Sequence, residues 1–268
     1  MNPAKPQPAN QWASGAAYER YMGRWSRLIA REFLAWLAIG PAHHWLDAGC
    51  GTGALAETLV RDAAPQTVTG IDASPGFVSH AHDRLAGQRA RFLVGDLQAL
   101  PLANGAFDAA VSGLVLNFVS DQLRAVTEMA RAVRPGGVLA VYVWDYAGGM
   151  QFIRHFWDAA IALNPAAAAL NQGERFPICR PEPLAALFQS GGLQEVAVRS
   201  IEIQTVFRSF DDYWAPFLGG QGPAPTYTMA LGEAERTALR ERLRAALPAA
   251  DDGSIPLTAR AWAVRSVV

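Results

Sequence analysis

The sequence predicts an α/β fold built on a doubly wound, Rossmann-like and mainly parallel sheet. Between residues 43 and 145, short apolar segments alternate with amphipathic segments of helical length. This alternation is typical of βαβ units, whose right-handed crossovers cover a parallel sheet with helices on both faces. Glycines also follow the first apolar segment directly, which is typical of a strand that turns into a helix beside a ligand.

The elements of this core are predicted in chain order from the apolar pattern. Strands are predicted over residues 44–48, 67–71, 91–94, 107–112 and 137–144. Helices are predicted over residues 53–62, 75–86 and 121–133. Two further strands, over 194–206 and at the C-terminus, are expected to pair antiparallel and to supply an antiparallel edge strand.

The remaining segments predict additions to a single domain over residues 16–268. Residues 16–42 carry apolar side chains at helical spacing and predict N-terminal helices. Segments 146–190 and 207–255 contain helical patterns, in the second over 209–219 and 231–247, and carry aromatic residues, so we expect them to form a lid on the ligand side of the sheet. Residues 1–15 are rich in proline and alanine and predict a flexible arm.

Composition excludes several classes of function. The net charge is −1, from 23 basic and 24 acidic residues, which argues against a nucleic-acid-binding protein. Two distant cysteines predict neither a disulfide framework nor a zinc site, and no metal is expected. The first residues lack the apolar centre of a signal peptide, and no apolar run predicts a membrane span. We therefore expect a cytoplasmic protein, and the oligomeric state is left open.

The glycine loop, "LDAGCGTG", raises the question of which ligand approaches it. Gly49, Gly51 and Ala54 fit the G-x-G-x-x-[GA] pattern of dinucleotide-binding loops. Glycines let a ligand approach the backbone and leave amide groups free at the start of the following helix. This loop alone is compatible with NAD or with another adenosine-containing cofactor.

Three carboxylates narrow the choice of ligand. Asp47 precedes the first glycine by two residues, where it would repel a pyrophosphate but attract an ammonium group. Asp72 ends the second predicted strand, where a carboxylate can bind ribose hydroxyls. Asp96 follows the third strand and can accept a hydrogen bond from an adenine amine. A nucleoside with an amino acid end, such as S-adenosylmethionine, would use all three.

At this point a family resemblance is visible. The segments "LDAGCGTG", "GIDAS", "GDLQALPLANGAFDAAVS" and "RPGGVLAVYVW" resemble, in order and spacing, the motifs of class I S-adenosylmethionine-dependent methyltransferases. The nearest resemblance is to the broad group that includes the ubiquinone and menaquinone biosynthesis methyltransferases. It covers residues 44–145 and implies S-adenosylmethionine as cofactor and S-adenosylhomocysteine as product.

The resemblance implies a role for each residue that matches a motif. The residues expected to hold the methionine part of the cofactor form the glycine loop: Asp47, Gly49, Gly51 and Thr52. The residues expected to hold the adenosine part follow the second and third strands: Asp72 on the ribose, Ala73 beside the adenine, and Asp96 and Leu97 on the adenine. Ser112 is expected next to the methionyl group. In "YERYMGRWS", Tyr21 is expected to line the site and Arg24 to pair with the cofactor carboxylate.

The acceptor is expected to be a small or medium-sized organic molecule. The residues predicted to line its pocket follow strands four and five or lie in the lid: Asn117, Trp144, Tyr146 and Trp214. His155 is the candidate general base, because it lies in the lid and titrates near neutral pH. Two alternatives remain, namely an NAD-dependent oxidoreductase and a non-catalytic binding module on a methyltransferase fold.

Overall fold

The computed structural model describes residues 19–219 and 222–268, so the predicted arm over residues 1–15 lies outside the described residues. Its centre is a seven-stranded sheet with the strand order β3-β2-β1-β4-β5-β7-β6. The strands are β1 His44–Ala48, β2 Thr67–Asp72, β3 Ala90–Val94, β4 Phe107–Gly113, β5 Val133–Trp144, β6 Gln194–Phe207 and β7 Ile255–Val267.

The first five strands are parallel to one another, and β7 runs against both of its neighbours. The predicted antiparallel strand is therefore confirmed, but it lies inside the sheet, between β5 and β6. The chain order reverses between β1 and β4, where crossovers leave in opposite directions. In a parallel sheet such a reversal opens a crevice at the carboxyl ends of the strands, which is where ligands bind.

Helices separate the strands along the chain. The helices are α1 Arg24–Leu37, α2 Ala54–Asp62, α3 Pro75–Leu85, α4 Gln122–Ala132, α5 Gln151–Leu163, α6 Gln172–Arg175, α7 Pro181–Ser190, α8 Phe210–Trp214, α9 Pro223–Ala230 and α10 Glu233–Ala246. A π-helical turn, Glu19–Gly23, leads into α1. The helices predicted over 53–62, 75–86 and 121–133 are confirmed to within a few residues. α9 was not predicted, because its "PAPTYTMA" sequence has almost no amphipathic pattern.

The core lies on both faces of the sheet. The central strands are buried almost throughout, as expected for strands that helices cover on both sides. α1 packs against α2 and β6, while α4 packs against α7. Ser74 caps α3 by accepting a hydrogen bond from the Phe77 amide, with Pro75 in the first turn.

The two predicted lid segments pack against each other through aromatic rings. Phe156 of α5 stacks on Phe217 with ring centroids 4.5 Å apart, and Phe152 lies 4.7 Å from the same ring. Tyr21 of the N-terminal turn completes the contact at 6.3 Å from Phe217. Among the described residues, none of the helices has the length and apolar character that a membrane crossing requires.

Candidate active site

A cavity of about 570 Å³ lies at the carboxyl ends of the parallel strands. Its walls differ according to the strands that they follow. We call one wall the acidic half: it follows β1, β2 and β3 and contains Asp47, Gly49, Gly51, Asp72 and Asp96. We call the other the aromatic half: it follows β4 and β5 and contains Phe118, Tyr142, Trp144, Tyr146 and Gln172.

The glycine loop has a backbone that favours glycine. Gly49, Gly51 and Gly53 have φ values of 77°, 51° and 86°, in the left-handed region. A Cβ on Gly49 would lie 2.6 Å from Val115, so a side chain there would collide with the loop after β4. The Gly49 amide donates to the Ile71 carbonyl at 2.7 Å, which fixes the loop to the end of β2.

Asp72 joins the glycine loop to the loop after β2. Its Oδ2 accepts a hydrogen bond from the Gly51 amide at 2.9 Å, and its Oδ1 accepts one from the Ser74 amide at 2.8 Å. Burial raises the pKa of Asp72, and these two amide bonds oppose the rise. Ser74, and not Asp72, caps α3. Each carboxylate oxygen of Asp72 therefore accepts one amide only and keeps a lone pair for a ligand in the cavity.

Asp47 is the most unusual group of the acidic half. It is fully buried, and neither carboxylate oxygen accepts a well-formed hydrogen bond from any described residue. Burial and repulsion from Asp72 raise its pKa to about 7, although the nearby amide of Ala56 lowers it somewhat. A buried carboxylate without a partner is costly, so this site fits a ligand that brings a positive charge and hydrogen-bond donors.

The loop after β3 forms the third part of the acidic half. Asp96 accepts hydrogen bonds from the backbone and side-chain nitrogens of Gln98, at 2.9 and 3.1 Å. Leu97 is buried between them and lines the cavity, as does Ala73 after β2. The structure therefore brings together the residues predicted to hold an adenosine, and adds Gln98, which lies in the same quoted segment but had no predicted role.

The N-terminal turn closes over the glycine loop through Glu19. Thr52 Oγ1 donates to Glu19 Oε1 at 2.5 Å, and Arg27 Nη1 donates to Glu19 Oε2 at 2.8 Å. Burial would raise the pKa of Glu19, but the bonds from Arg27 and Thr52 lower it below its usual value. Tyr21 lies in the same turn and lines the cavity, where it was predicted. The sequence did not predict a role for Glu19, although it lies two residues before Tyr21 in the quoted segment.

Arg24 lies away from the cavity in this structure. Its guanidinium donates to both carboxylate oxygens of Asp212 at 3.1 Å and lies over the rings of Trp25 and Phe207. It is not part of the cavity wall, because α1 directs it toward α8. Ser112 is also absent from the wall: it is fully buried in β4, and the following residue, Gly113, reaches the cavity instead.

The predicted acceptor residues divide between the aromatic half and the lid interior. Trp144 and Tyr146 line the cavity. Trp214 is buried in the lid, 6.0 Å from the ring of Phe217, and does not line the cavity. Asn117 is buried without hydrogen-bond partners among the described residues and also lies outside the wall.

His155 does not reach the cavity either. It lies half-buried on α5, and burial lowers its pKa. The expectation of a general base at His155 is therefore not supported by its position. Within the part of the chain that the structure describes, no group of three or more His, Cys, Asp or Glu side chains forms a metal-binding cluster.

Comparison with known proteins matches the central part of the chain to methyltransferases. Residues 46–141 match the family described as a methyltransferase domain. The malonyl-[acyl-carrier protein] O-methyltransferase of Serratia marcescens is 32% identical over 155 residues, 56% of this chain and 59% of that protein. The 2-methyl-6-phytyl-1,4-hydroquinone methyltransferase of Synechocystis sp. is 29% identical over 185 residues, 68% of this chain and 57% of that protein. The chain thus spans little more than half the length of these curated relatives.

Solved structures share the fold. The YcgJ protein of Bacillus subtilis gives a TM-score of 0.57 at 16% identity, covering 90% of this chain and 97% of that chain. Phosphoethanolamine N-methyltransferase 2 of Haemonchus contortus gives a TM-score of 0.58 at 16% identity, covering 94% and 56%. The latter was solved with phosphomonomethylethanolamine and S-adenosylhomocysteine. At such identities the likeness shows the fold alone.

The sheet and its acidic, glycine-lined cavity at the carboxyl ends of the parallel strands define a Rossmann-like α/β protein. Within it, residues 46–141 match a methyltransferase domain and coincide with the motifs identified in the sequence, and the curated relatives that match part of the chain are named as methyltransferases.

Proposed function

We propose that this protein transfers a methyl group from S-adenosylmethionine to a small or medium-sized organic acceptor. The observation that carries the proposal is the buried Asp47 carboxylate, which lies in the cavity wall and has no well-formed hydrogen bond from the described residues. A cofactor with an ammonium group would satisfy this carboxylate. A pyrophosphate would be repelled by it and by Asp72.

Each part of the acidic half has a proposed role. Asp47 and the loop through Gly49 and Gly51 would hold the amino acid part of the cofactor. Asp72 would accept hydrogen bonds from the ribose hydroxyls, because its oxygens retain lone pairs beyond the bonds to Gly51 and Ser74. The loop from Asp96 to Gln98, with Ala73 opposite, would enclose the adenine.

In the proposed reaction, the residues of this chain orient the acceptor and exclude water from the site. When bound, S-adenosylmethionine supplies a methyl group activated by the sulfonium charge. The aromatic half orients an acceptor on the line of displacement, and the packed lid excludes water from it. Among described residues that line the cavity there is no histidine, so an acceptor that needs little help to lose its proton suits this site.

The names of relatives indicate two kinds of acceptor. One relative is named for malonyl-[acyl-carrier protein] and another for a phytyl hydroquinone. We extend to this chain only the class that both share, an organic molecule with an oxygen-bearing group. The exclusion of nucleic acid, the cytoplasmic location and the catalytic character of the site stay predictions.

Calorimetric titration tests the proposal. The purified protein and its Asp72→Ala variant are titrated with S-adenosylmethionine, S-adenosylhomocysteine and NAD. We expect micromolar binding of the first two, weakened about 100-fold or more in the variant, because hydrogen bonds to a charged group contribute about 1.5–3 kcal/mol each. Asp83→Ala, an exposed change on α3, is the control. Binding of NAD alone would favour the oxidoreductase alternative and contradict the proposal.

If S-adenosylmethionine and S-adenosylhomocysteine bind, neutral and acidic acceptors are screened with S-adenosylmethionine that carries a labelled methyl group. Transfer to any acceptor establishes an enzyme. Tight cofactor binding without transfer to any acceptor in a broad screen would favour the non-catalytic binding module.

A further inference from the structure

Gln172 is a buried polar side chain in the aromatic half that no motif of the sequence marks. It is 2% exposed and lines the cavity at the start of α6. The turn around it is fixed, because Asn171 Oδ1 accepts a hydrogen bond from the Gly173 amide at 3.0 Å. Gly173 lies against the backbone of Tyr146, where a Cβ would come within 3.0 Å of the carbonyl oxygen. Gln172 is therefore held beside the end of β5.

Trp157 fixes the orientation of the Gln172 amide. Its indole Nε1 donates to Gln172 Oε1 at 2.7 Å, and an indole nitrogen can only donate. The amide oxygen must therefore face Trp157. Trp157 is itself fully buried and held between the rings of Phe156 and Tyr227, at 5.1 and 5.7 Å.

The amide nitrogen of Gln172 is then the polar group that the side chain offers to the cavity. Among the described residues, the hydrogen bond of this side chain is the one that its oxygen accepts from Trp157. An amide NH₂ group in a buried wall is purely a hydrogen-bond donor, so it favours an oxygen acceptor on the bound molecule.

The charges of the cavity wall decide which kind of oxygen suits it. The charged side chains that line it, within residues 19–219 and 222–268, are Asp47, Asp72 and Asp96, and none is basic. Arg260, near the end of β5, is paired with Asp145 at 2.6 Å and lies outside the wall. A carboxylate or phosphate on the acceptor would meet acidic side chains and no basic side chain in the described wall.

We propose that Gln172 determines acceptor specificity by donating a hydrogen bond to an uncharged oxygen of a flat, apolar acceptor held between Phe118, Trp144 and Tyr146. Trp157 is a positioning residue, which acts by holding the Gln172 amide. This inference rests on the proposed function, since it names the acceptor class of the same site. It favours a neutral carbonyl or phenol-type acceptor over an acidic one such as a malonyl group.

The test uses three probes of one shape with protein saturated by S-adenosylhomocysteine. The probes are 2-acetylnaphthalene, whose ketone can only accept hydrogen bonds, 2-isopropylnaphthalene, which lacks the oxygen, and the anion 2-naphthoate. Tryptophan fluorescence reports their binding. We expect the ketone to bind about 5-fold tighter than the hydrocarbon, since one hydrogen bond contributes about 1 kcal/mol. We expect the anion to bind about 10-fold more weakly than the ketone.

Two variants separate the role of Gln172 from a structural one. Gln172→Glu keeps an oxygen for Trp157 but removes the donor, so it should weaken ketone binding about 10-fold and leave hydrocarbon binding within about 2-fold. Trp157→Phe should abolish the preference for the ketone while the hydrocarbon still binds. Gln189→Glu, an exposed change on α7, is the matched control. Gln172→Met, without any charge, should also lose the preference.

The outcomes distinguish a failure of the role of Gln172 from a failure of the proposed function. Equal binding of ketone and hydrocarbon, or tightest binding of the anion, in protein that binds S-adenosylhomocysteine would overturn the role of Gln172. Absence of S-adenosylhomocysteine binding would instead overturn the proposed function.

Discussion

The acidic and aromatic halves of the cavity are built in different ways. The acidic half comes from loops that directly follow β1, β2 and β3, and it is held by backbone hydrogen bonds such as those of Gly49 and Gly51. The aromatic half combines the ends of β4 and β5 with Gln172, whose position depends on Trp157 and Asn171. The acidic half thus consists of short motifs that follow successive strands. The aromatic half depends on the packing of side chains from separate segments.

This difference suggests that the acidic half serves the cofactor and the aromatic half serves the acceptor. A half fixed by backbone geometry suits a cofactor that is the same in every member of the class. The shape and polarity of a half that is fixed by side chains can change by single substitutions. That half can therefore be adapted to different acceptors. If this division holds, substitutions in the acidic half and in the turn that contacts it should weaken cofactor binding, and substitutions elsewhere should leave cofactor binding nearly unchanged.

The largest effect on stability is expected from Asp47→Asn. Because the folded pKa of Asp47, about 7, exceeds the unfolded value near 3.8, the folded protein binds more protons between these values and loses stability as pH rises through them. At about pH 8 the ligand-free variant should be more stable by on the order of 2 kcal/mol, and the gain should vanish near pH 4. Urea unfolding across pH measures this. S-adenosylhomocysteine should bind the variant about 10-fold or more weakly.

Asp108→Asn is the matched control at the opposite end of the sheet. Arg134 and the amide of His44 donate to Asp108 and lower its pKa. Its stabilising effect is therefore present above the unfolded pKa and lost as pH falls below it. The variant should lose about 1 kcal/mol near pH 7 and leave cofactor binding unchanged. Equal pH profiles for the two variants would contradict the account of Asp47.

A smaller effect is expected from Glu19→Gln, which weakens the contact between the N-terminal turn and the glycine loop. The change removes the charge that pairs with Arg27 at 2.8 Å and Arg84 at 3.5 Å. S-adenosylhomocysteine affinity should fall about 3- to 10-fold, and the loss should shrink at high salt. Glu233→Gln, exposed at the start of α10, is the control. Unchanged affinity would mean that this turn does not contribute to cofactor binding.

For Arg24→Leu we expect an effect on stability without one on binding. The change removes the pair with Asp212 and the contacts with Trp25 and Phe207, which together contribute about 1 kcal/mol. Thermal unfolding should shift down, while S-adenosylhomocysteine affinity changes less than about 3-fold. A loss of affinity above about 10-fold, at unchanged stability, would restore the original expectation that Arg24 pairs with the cofactor carboxylate.

The smallest effect is expected from His155→Ala. Since His155 lies outside the cavity wall, the rate of methyl transfer to an acceptor found in the screen should change less than about 2-fold. The dependence of this transfer rate on pH should also have the same shape as in the unsubstituted protein. Loss of one ionisation from that profile would show that His155 reaches the acceptor after all.

The sequence predicted the acidic half well because its determinants are local. The carboxylates stand next to the ends of strands, and parallel strands bring those ends together whatever the lid does. The same logic predicted the order of the core strands and helices. Arg24 shows where this logic fails, because the partner of a side chain on a helix surface depends on the segment that packs there. Its partner, Asp212, is 188 residues away.

The aromatic half was predicted only where it follows a strand. Trp144 and Tyr146 come directly after β5, so topology places them at the cavity. Gln172 could not be found, because its "LNQGERF" surroundings carry no motif and its orientation depends on Trp157, which lies on a different helix. Trp214 and His155 belong to lid segments whose aromatic rings pack mainly on one another, and the sequence did not reveal which faces turn inward.

The most direct test of the central claim is a crystal structure of the protein with S-adenosylhomocysteine. The account predicts the amino group within hydrogen-bond distance of Asp47, the ribose on Asp72, and the sulfur directed toward the aromatic half. A ligand bound in the opposite direction, with its adenine among Trp144 and Tyr146, would contradict it.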